Sequence, residues 1–458
     1  MKKWENIAVR LALGVLLALI LLGILFLRPF FGLMDDHYNL LTVVPDMKNA
    51  GIFSYSWKYA LSDLSWGMFR PTNPLMIFFL YAPIPFAQPW LLYLWNAILC
   101  FGLLLLGAKV WEKLLAVPAG ITLLFLGSFF YLYDLFQHPS LQEKMILLFG
   151  FLSLFILSRD RVTGKHLALA LLCCVCGVLA KASFIIYFSM GVWVIFWHPF
   201  LTGKKERWFY TGIYVVALVC ATVFFAYISS RGGYTANSYS LAKVVPNLQR
   251  LDGVMFVGGL GIFFAGVFFR KEFFRRPWMF TPAIGTLAFL TVFLPWGITG
   301  YIQTVVGPIF CLLFAVVAWR IFPEKLRMWW ILPLCLFALA VGGYRSYTMF
   351  GRLADLGLVV QRAPEWQERG IAEIFLPCAE GTVALRRYLQ EIAGVSIQTK
   401  EISSYSPADL EGKWIFFDQA MCPLPGRVAV MDGCSATETA FVGRFAKSYR
   451  LERWSCAR

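Results

Sequence analysis

The chain has 458 residues, of which 59% are hydrophobic, 17% aromatic and only 15% charged. A soluble domain carries roughly a quarter charged residues, so this composition excludes an ordinary soluble globule and implies a polytopic α-helical membrane protein. The formal charge of +15 does not argue for a nucleic-acid partner, because the cations fall in short clusters between apolar runs and not along one face of a domain.

In chain order, the first apolar segment covers 9–27 and carries no charge from Leu11 to Leu27. It outruns a signal-peptide core and lacks a small-residue cleavage site, so it reads as a retained anchor. A long connection, 28–88, follows. It opens on "FFGLMDDHYNLL" (30–41), where two adjacent aspartates and a histidine come directly after the apolar run. It continues through "DMKNAGIFSYSWKYALSDL" (46–64), an amphipathic stretch expected to lie flat on the membrane, with Asp46 as its N-cap and Asp63 starting the next turn. Further spans read approximately as 89–108, 114–133, 145–158, 166–180, 183–199, 208–228, 253–269, 278–296, 303–320 and 329–344, about eleven in all.

Alternate connections hold the basic residues. These are Lys2 and Lys3; Lys109 and Lys113; Arg159, Arg161 and Lys165; Lys204, Lys205 and Arg207; Arg270, Lys271, Arg275 and Arg276; and Arg320, Lys325 and Arg327. The positive-inside rule makes them cytoplasmic. Residues 28–88, 134–144, the turn at Lys181, 229–252, 297–302 and everything after Tyr344 then face outward. That orientation of the tail requires "CCVCGVLAKASFIIYF" (173–188) to be two short spans meeting at Lys181.

The chain thus divides into a membrane module, 1–344, and an outward tail, 345–458, which holds 13 of the 26 acidic residues. In the tail, "ALRRYLQEIAG" (384–394) has helical spacing with Gly394 as a stop. "VSIQTKEI", "KWIFFDQ" and "RVAVMDG" read as short strands, so a small α/β domain is expected. Cys378, Cys422, Cys434 and Cys456 suit two disulfides on the outward side, with three possible connectivities. A zinc site competes with that reading, but no Cys-x-x-Cys spacing supports it.

Among the carboxylates before the tail, Glu5, Glu112, Asp160, Glu206, Glu272 and Glu324 accompany the cytoplasmic cations. Asp134 and Asp252 sit at span ends, where a solvated carboxylate costs little. Asp35 and Asp36 resist such an account: like charges on neighbouring residues repel, and a helix cap needs only one. A capping pair at the interface is the competing reading.

An acidic pair just after the first span, in a long outward loop with a surface helix, resembles the GT-C superfamily of glycosyltransferases, which use polyprenyl-phosphate-linked sugars. "WGMFRPTNPL" (66–75) resembles the Arg-Pro segment that leads such chains back into the membrane. "HPSLQEKM" (138–145) resembles their second acidic or polar loop, and "GVLAKASFII" (177–186) resembles their Leu-x-Lys-Glu segment, with Ala182 in place of the acid. The plan of about eleven spans plus an outward α/β domain is similar to the aminoarabinose, arabinosyl and mannosyl transferase branches. "GYIQTVVGP" (300–308) departs from the pattern, with Gly300 where relatives often carry Arg or His.

The resemblance implies an inverting transferase at the outer face of a bacterial cytoplasmic membrane, working on the cell envelope. It would move a sugar from a polyprenyl-phosphate (undecaprenyl-phosphate) donor to a hydroxyl of a glycan, lipid or protein such as a pilin. Such a donor already has a good leaving group, so the chemistry needs a base for the acceptor hydroxyl. One of Asp35 and Asp36 is the expected base, with Asp36 slightly preferred. The other would hold His37, Arg70 or donor hydroxyls. The departing phosphate needs cations, and the outward candidates are Arg70 first, for its planar fork, then His138, Lys144 and Lys181. Headgroup snorkelling competes for Arg70, a mutual Glu143–Lys144 pair competes for those two, and a surface turn competes for His138. No metal or other cofactor is required. A divalent ion held by Asp35, Asp36, His37 and Glu143 is the minority possibility. Trp57, Trp66, Tyr81 and Trp90 are candidates to stack on sugar or line a lipid groove, and the loop 229–250 is a candidate acceptor-side loop. The alternative from another class is a lipid-carrier flippase or secondary transporter, which predicts mid-span charges and matching halves; the sequence holds almost no mid-span charge and no half-to-half similarity.

Overall fold

The structure is a computed structural model and describes residues 2–32, 35–66, 68–85, 87–198, 201, 204–231, 240–249, 259–261, 263–264, 277–293, 300–321, 327–402, 410–418, 434–445 and 449–456. The expectations for Asp252, the span at 253–269, the strand "RVAVMDG" and Cys422 lie wholly or mainly outside those residues.

The described chain is predominantly helical. Its first part contains α1 (Lys2–Leu27), α2 (Asp35–Tyr38), α3 (Val44–Ala50), α4 (Ile52–Leu64), α5 (Asn73–Tyr81), α6 (Trp90–Leu115), α7 (Ala119–Gly127), α8 (Asp134–Gln137), α9 (Glu143–Leu157), α10 (Gly164–Ala180) and α11 (Ile185–Phe196). It continues with α12 (Lys204–Arg231), α13 (Val244–Gln249), α14 (Thr281–Phe293), α15 (Gly300–Val316) and α16 (Arg327–Glu368). Long apolar runs become helices because a helix satisfies its backbone hydrogen bonds within itself, as a hydrocarbon solvent demands. Among the described residues, four helical segments are long and apolar enough to cross a membrane: Ile7–Leu27, Trp90–Leu115, Lys205–Ile228 and Trp329–Glu368. The other apolar helices, such as α10 and α11, fall short of the roughly 20 residues a straight span needs.

Two local expectations change. The amphipathic stretch is not one helix capped by Asp46: α3 starts at Val44 with Pro45 in its first turn, and Asp46 also lies in that turn. There its charge meets the positive end of the helix dipole. Gly51 separates α3 from α4, and α4 exposes Phe53, Trp57 and Leu61 at four-residue spacing. The compositional boundary after Tyr344 is not a structural break either. α16 is 42 residues long, about 60 Å at 1.5 Å per residue, twice the thickness of a hydrocarbon layer. Its apolar first part packs along α1, and the helix simply continues past Arg345 toward the sheet domain.

Among the described residues that domain has five strands, β1 (Glu373–Leu376), β2 (Gln398–Glu401), β3 (Trp414–Asp418), β4 (Cys434–Val442) and β5 (Tyr449–Cys456), in the order β2-β1-β3-β5-β4. β1 runs parallel to β2 and β3, while β5 is antiparallel to β3 and β4. Between β1 and β2 lies α17 (Ala379–Arg387), continued by a wider helical turn to Ile392. Gly394, at φ 67°, ends this helix as its position in the sequence suggests. Cys434 and Cys456 form a disulfide across the β4–β5 pair, and Cys378 is disulfide-bonded as well. Leu385, Tyr388 and Leu389 are fully buried on the inner face of the helix.

Candidate functional site

The site forms where α2 meets α5, α6 and the 138–144 segment. Neighbouring residues on a helix point about 100° apart, and α2 turns Asp36 inward, leaving its carboxylate only 6% exposed. The Asp36 Oδ2 atom accepts the Gly32 N–H at 2.7 Å and the Tyr93 hydroxyl at 3.3 Å. Oδ1 accepts the Tyr81 hydroxyl. Gly32 leaves room for this approach: a Cβ there would stand 3.1 Å from Asp36 Oδ2, so the carboxylate would have to give by a few tenths of an ångström. Asp35 opens α2 next to it; its side chain lies outside the described atoms. His37 faces the Tyr388 ring edge-on, with centroids 6.3 Å apart.

Tyr81 and Tyr93 are completely buried, and a buried tyrosine must find a partner for its hydroxyl. Burial pushes the Tyr81 hydroxyl well above its ordinary pKa, and the Asp36 charge adds to that, so it stays a neutral donor. Ser140 and Asn39 lie beside the same hydroxyl.

The cations arrange themselves differently from the sequence expectation. Arg70 is engaged by Asp63 at 3.0 Å and by the Gln142 side chain at 3.1 Å. Its planar fork therefore ties the first long connection to the 138–144 segment. Asp63 is Arg70's partner more than the opener of a turn. Glu143 and Lys144 do not pair with each other. Glu143, 3% exposed, pairs with Lys181, which sits in extended backbone between α10 and the short turn before α11. Lys144 donates to the carbonyls of His138 and Pro139, both at 2.7 Å. Burial pulls the Lys144 pKa down to about 8, opposed by the charges of Cys100, Asp36 and Glu143. His138 is half-buried and not a surface turn residue. Burial, with the charges of Lys144, Arg352 and Arg345, lowers its pKa to about 4. Asp134 is not a solvated span end: it receives Arg345 Nη2 at 2.7 Å, and burial raises its pKa to about 6.

The structure therefore ties Lys144 to the His138 carbonyl, within reach of the Asp36 charge, pairs Glu143 with Lys181, and leaves Arg70 in its own pair. Among the described residues no group of three His, Cys, Asp or Glu side chains is arranged to hold a metal ion. Trp57 and Trp66 are exposed, whereas Tyr81 belongs to the carboxylate. Sequence reading missed Tyr93, Tyr388 and Arg345. The signal available for the two tyrosines was a hydroxyl set in an apolar helical face, which has to be satisfied somewhere.

Further along the bundle an apolar cavity of about 270 Å³ opens between α1, α6 and α7, lined by Leu16, Ile20, Leu104, Leu126, Tyr133 and Phe136. Its Tyr133 and Phe136 end is fixed to the site layer, because Asn96 of α6 donates to the carbonyls of Leu135 and Phe136 at 2.8 and 3.0 Å.

Chemically, the arrangement offers a buried carboxylate held by neutral donors, with ammonium groups nearby. No protein-family model and no characterised protein matches this chain.

Proposed function

We propose that the chain is an inverting GT-C-type glycosyltransferase of about eleven spans, acting at the outer face of a bacterial cytoplasmic membrane. It transfers a sugar from a polyprenyl-phosphate donor to a hydroxyl of a glycan, lipid or protein acceptor. The observation that carries the reading is the Asp36 carboxylate, buried and held by the Gly32 N–H and the Tyr81 and Tyr93 hydroxyls, at the end of the bundle that bears the sheet domain. In this reading the acceptor oxygen attacks the anomeric carbon as the sugar–phosphate C–O bond breaks. Asp36 takes the acceptor proton, and the electron pair leaves with the polyprenyl phosphate. Lys144 and Lys181 meet that developing charge. Tyr81 and Tyr93 hold the carboxylate for the attack. The apolar cavity toward α1 supports a lipid-borne donor, since it offers a chain a dry groove. No metal is required, because ammonium groups already supply positive charge.

The test is a panel of polyprenyl-phosphate sugars with purified protein in nanodiscs, scoring donor binding and turnover for wild type, Asp35→Asn and Asp36→Asn. Retained binding with lost turnover in Asp36→Asn is the expected result. Intact turnover in both variants sinks the catalytic role of the pair. Movement of a lipid-linked sugar across the bilayer without turnover would replace the transferase with a flippase.

A further inference from the structure

The sheet domain reaches the Asp36 site directly. Its Tyr388 is fully buried, and its hydroxyl donates to the Gly32 carbonyl at 2.5 Å. The N–H of the same Gly32 donates to Asp36 Oδ2 at 2.7 Å. The ring of Tyr388 stands edge-on to Phe30, centroids 5.3 Å apart, and Phe30 N–H is bonded to the Leu353 carbonyl of α16 at 3.1 Å. Beside it, Arg387 donates to the Thr42 hydroxyl at 2.7 Å and to the Leu41 carbonyl at 3.1 Å. One residue of backbone therefore lies between a domain more than 300 residues away in sequence and the carboxylate.

We propose that Tyr388 is a positioning residue for Asp36: by anchoring the Gly32 carbonyl it fixes the backbone of Gly32, whose N–H is aimed at Oδ2, and so fixes the carboxylate's orientation. A peptide unit is rigid and planar, but the carbonyl and the N–H of one residue belong to successive planes, so holding the Gly32 carbonyl restricts the ψ of Gly32. Glycine is the residue with most freedom to lose there. Burial pushes the Tyr388 hydroxyl well above its ordinary pKa, so it donates throughout the neutral range. A carboxylate displaced by about 1 Å is misplaced for proton transfer, which needs hydrogen-bond distance. The catalytic part of this proposal rests on the transferase reading; the anchoring part does not.

The experiment uses the full chain in nanodiscs with Tyr388→Phe, which keeps the ring contacts and removes one hydroxyl. Hydrogen–deuterium exchange over the peptide containing residues 30–42 should rise about tenfold, with the melting temperature of the whole protein nearly unchanged. Unchanged exchange overturns the anchoring. With the polyprenyl-phosphate panel, turnover at saturating donor should fall about tenfold at constant donor KM. A change in KM alone, or none, overturns the positioning role. Arg387→Ala is the control, since it loosens the same docking surface and leaves the Tyr388–Gly32 bond. An equal loss of turnover there would assign the effect to docking in general and remove Tyr388 from its role. If Asp36→Asn turns over normally, the catalytic role of Asp36 fails, while the exchange result still decides whether Tyr388 holds the loop.

Discussion

Tyr81→Phe removes one hydroxyl from the wall of the site and leaves the ring. In the wild type that hydroxyl donates to Oδ1 of a carboxylate 6% exposed, so no solvent stands ready to replace it. A hydrogen bond to a charged group contributes about 1.5–3 kcal/mol, and a neutral one about 0.5–1.5 kcal/mol. The variant should therefore lose about 2 kcal/mol of stability, and Tyr93→Phe, whose bond is 3.3 Å long, should lose less. The decisive comparison is a double-mutant cycle with Asp36→Asn. On the neutral amide, loss of the Tyr81 hydroxyl should cost only about 1 kcal/mol, leaving a coupling of about 1 kcal/mol. Denaturant titrations of the four proteins in one detergent, followed by tryptophan fluorescence, give all the terms. A coupling near zero would show that Tyr81 does not see the Asp36 charge, and the account of how the carboxylate is held would fall with it.

Lys181→Met strands Glu143, which is almost fully buried; because Lys181 is a third exposed, the expected loss is about 2 kcal/mol and not the 3–5 of a fully buried pair. Adding Glu143→Gln should recover most of it, measured as the thermal midpoint. His138 has a folded pKa of about 4 against an ordinary 6.5. The unfolded chain binds the proton first, so His138 drains stability as pH falls from about 6.5 to about 4, by up to roughly 3 kcal/mol. Asp134, raised to about 6, acts in the opposite sense between about pH 6 and 4, so the test is the difference curve between wild type and His138→Gln, which should be flat above pH 6.5. Lys144, with a pKa of about 8, should make donor binding weaken by up to tenfold per pH unit above that value. A Lys144→Arg variant should hold its affinity to higher pH, and identical profiles would dismiss Lys144 as the phosphate partner.

The sequence made Asp36 legible by elimination: local rules could cap, solvate or pair most other carboxylates, and the remainder was the acidic pair. The same local rules misassigned the cations. Arg70 looked available because Asp63, seven residues earlier, was read as the start of a turn, and Gln142 is 72 residues distant. Glu143 and Lys144 looked like a pair because they are adjacent, but adjacent helical residues diverge, and each found a partner elsewhere. Asp134 looked solvated because Arg345, its partner, is 211 residues away. Helix, strand and stop signals survived where they depend on a few neighbours, as at Gly394 and in "KWIFFDQ". They fail where composition and geometry part, as at Tyr344, where apolar character ends and the helix does not.

This last point changes what the sheet domain means. A separate domain after a flexible boundary invites the idea of a detachable handle for an acceptor, to be tested by deletion. α16 leaves no flexible boundary at Arg345, and the contacts that tie the domain to the bundle include Tyr388 to Gly32, Arg387 to Leu41 and Thr42, and two from α16 to Phe445: the Asp355 carboxylate accepts its N–H and the Tyr347 hydroxyl donates to its carbonyl, both at 2.8 Å. Deleting residues 371–458 would strip Tyr388 and Arg387 from the segment that carries Asp36 and remove the ring packed on Phe30. Loss of activity in such a truncation would follow from the damaged carboxylate site alone and would assign no acceptor to the domain. Substitutions confined to the exposed side of β4, such as Thr437→Ala and Glu438→Ala, leave that anchoring intact. An acceptor-specific defect there, with donor turnover preserved, is the result that would give the domain a recognition role of its own.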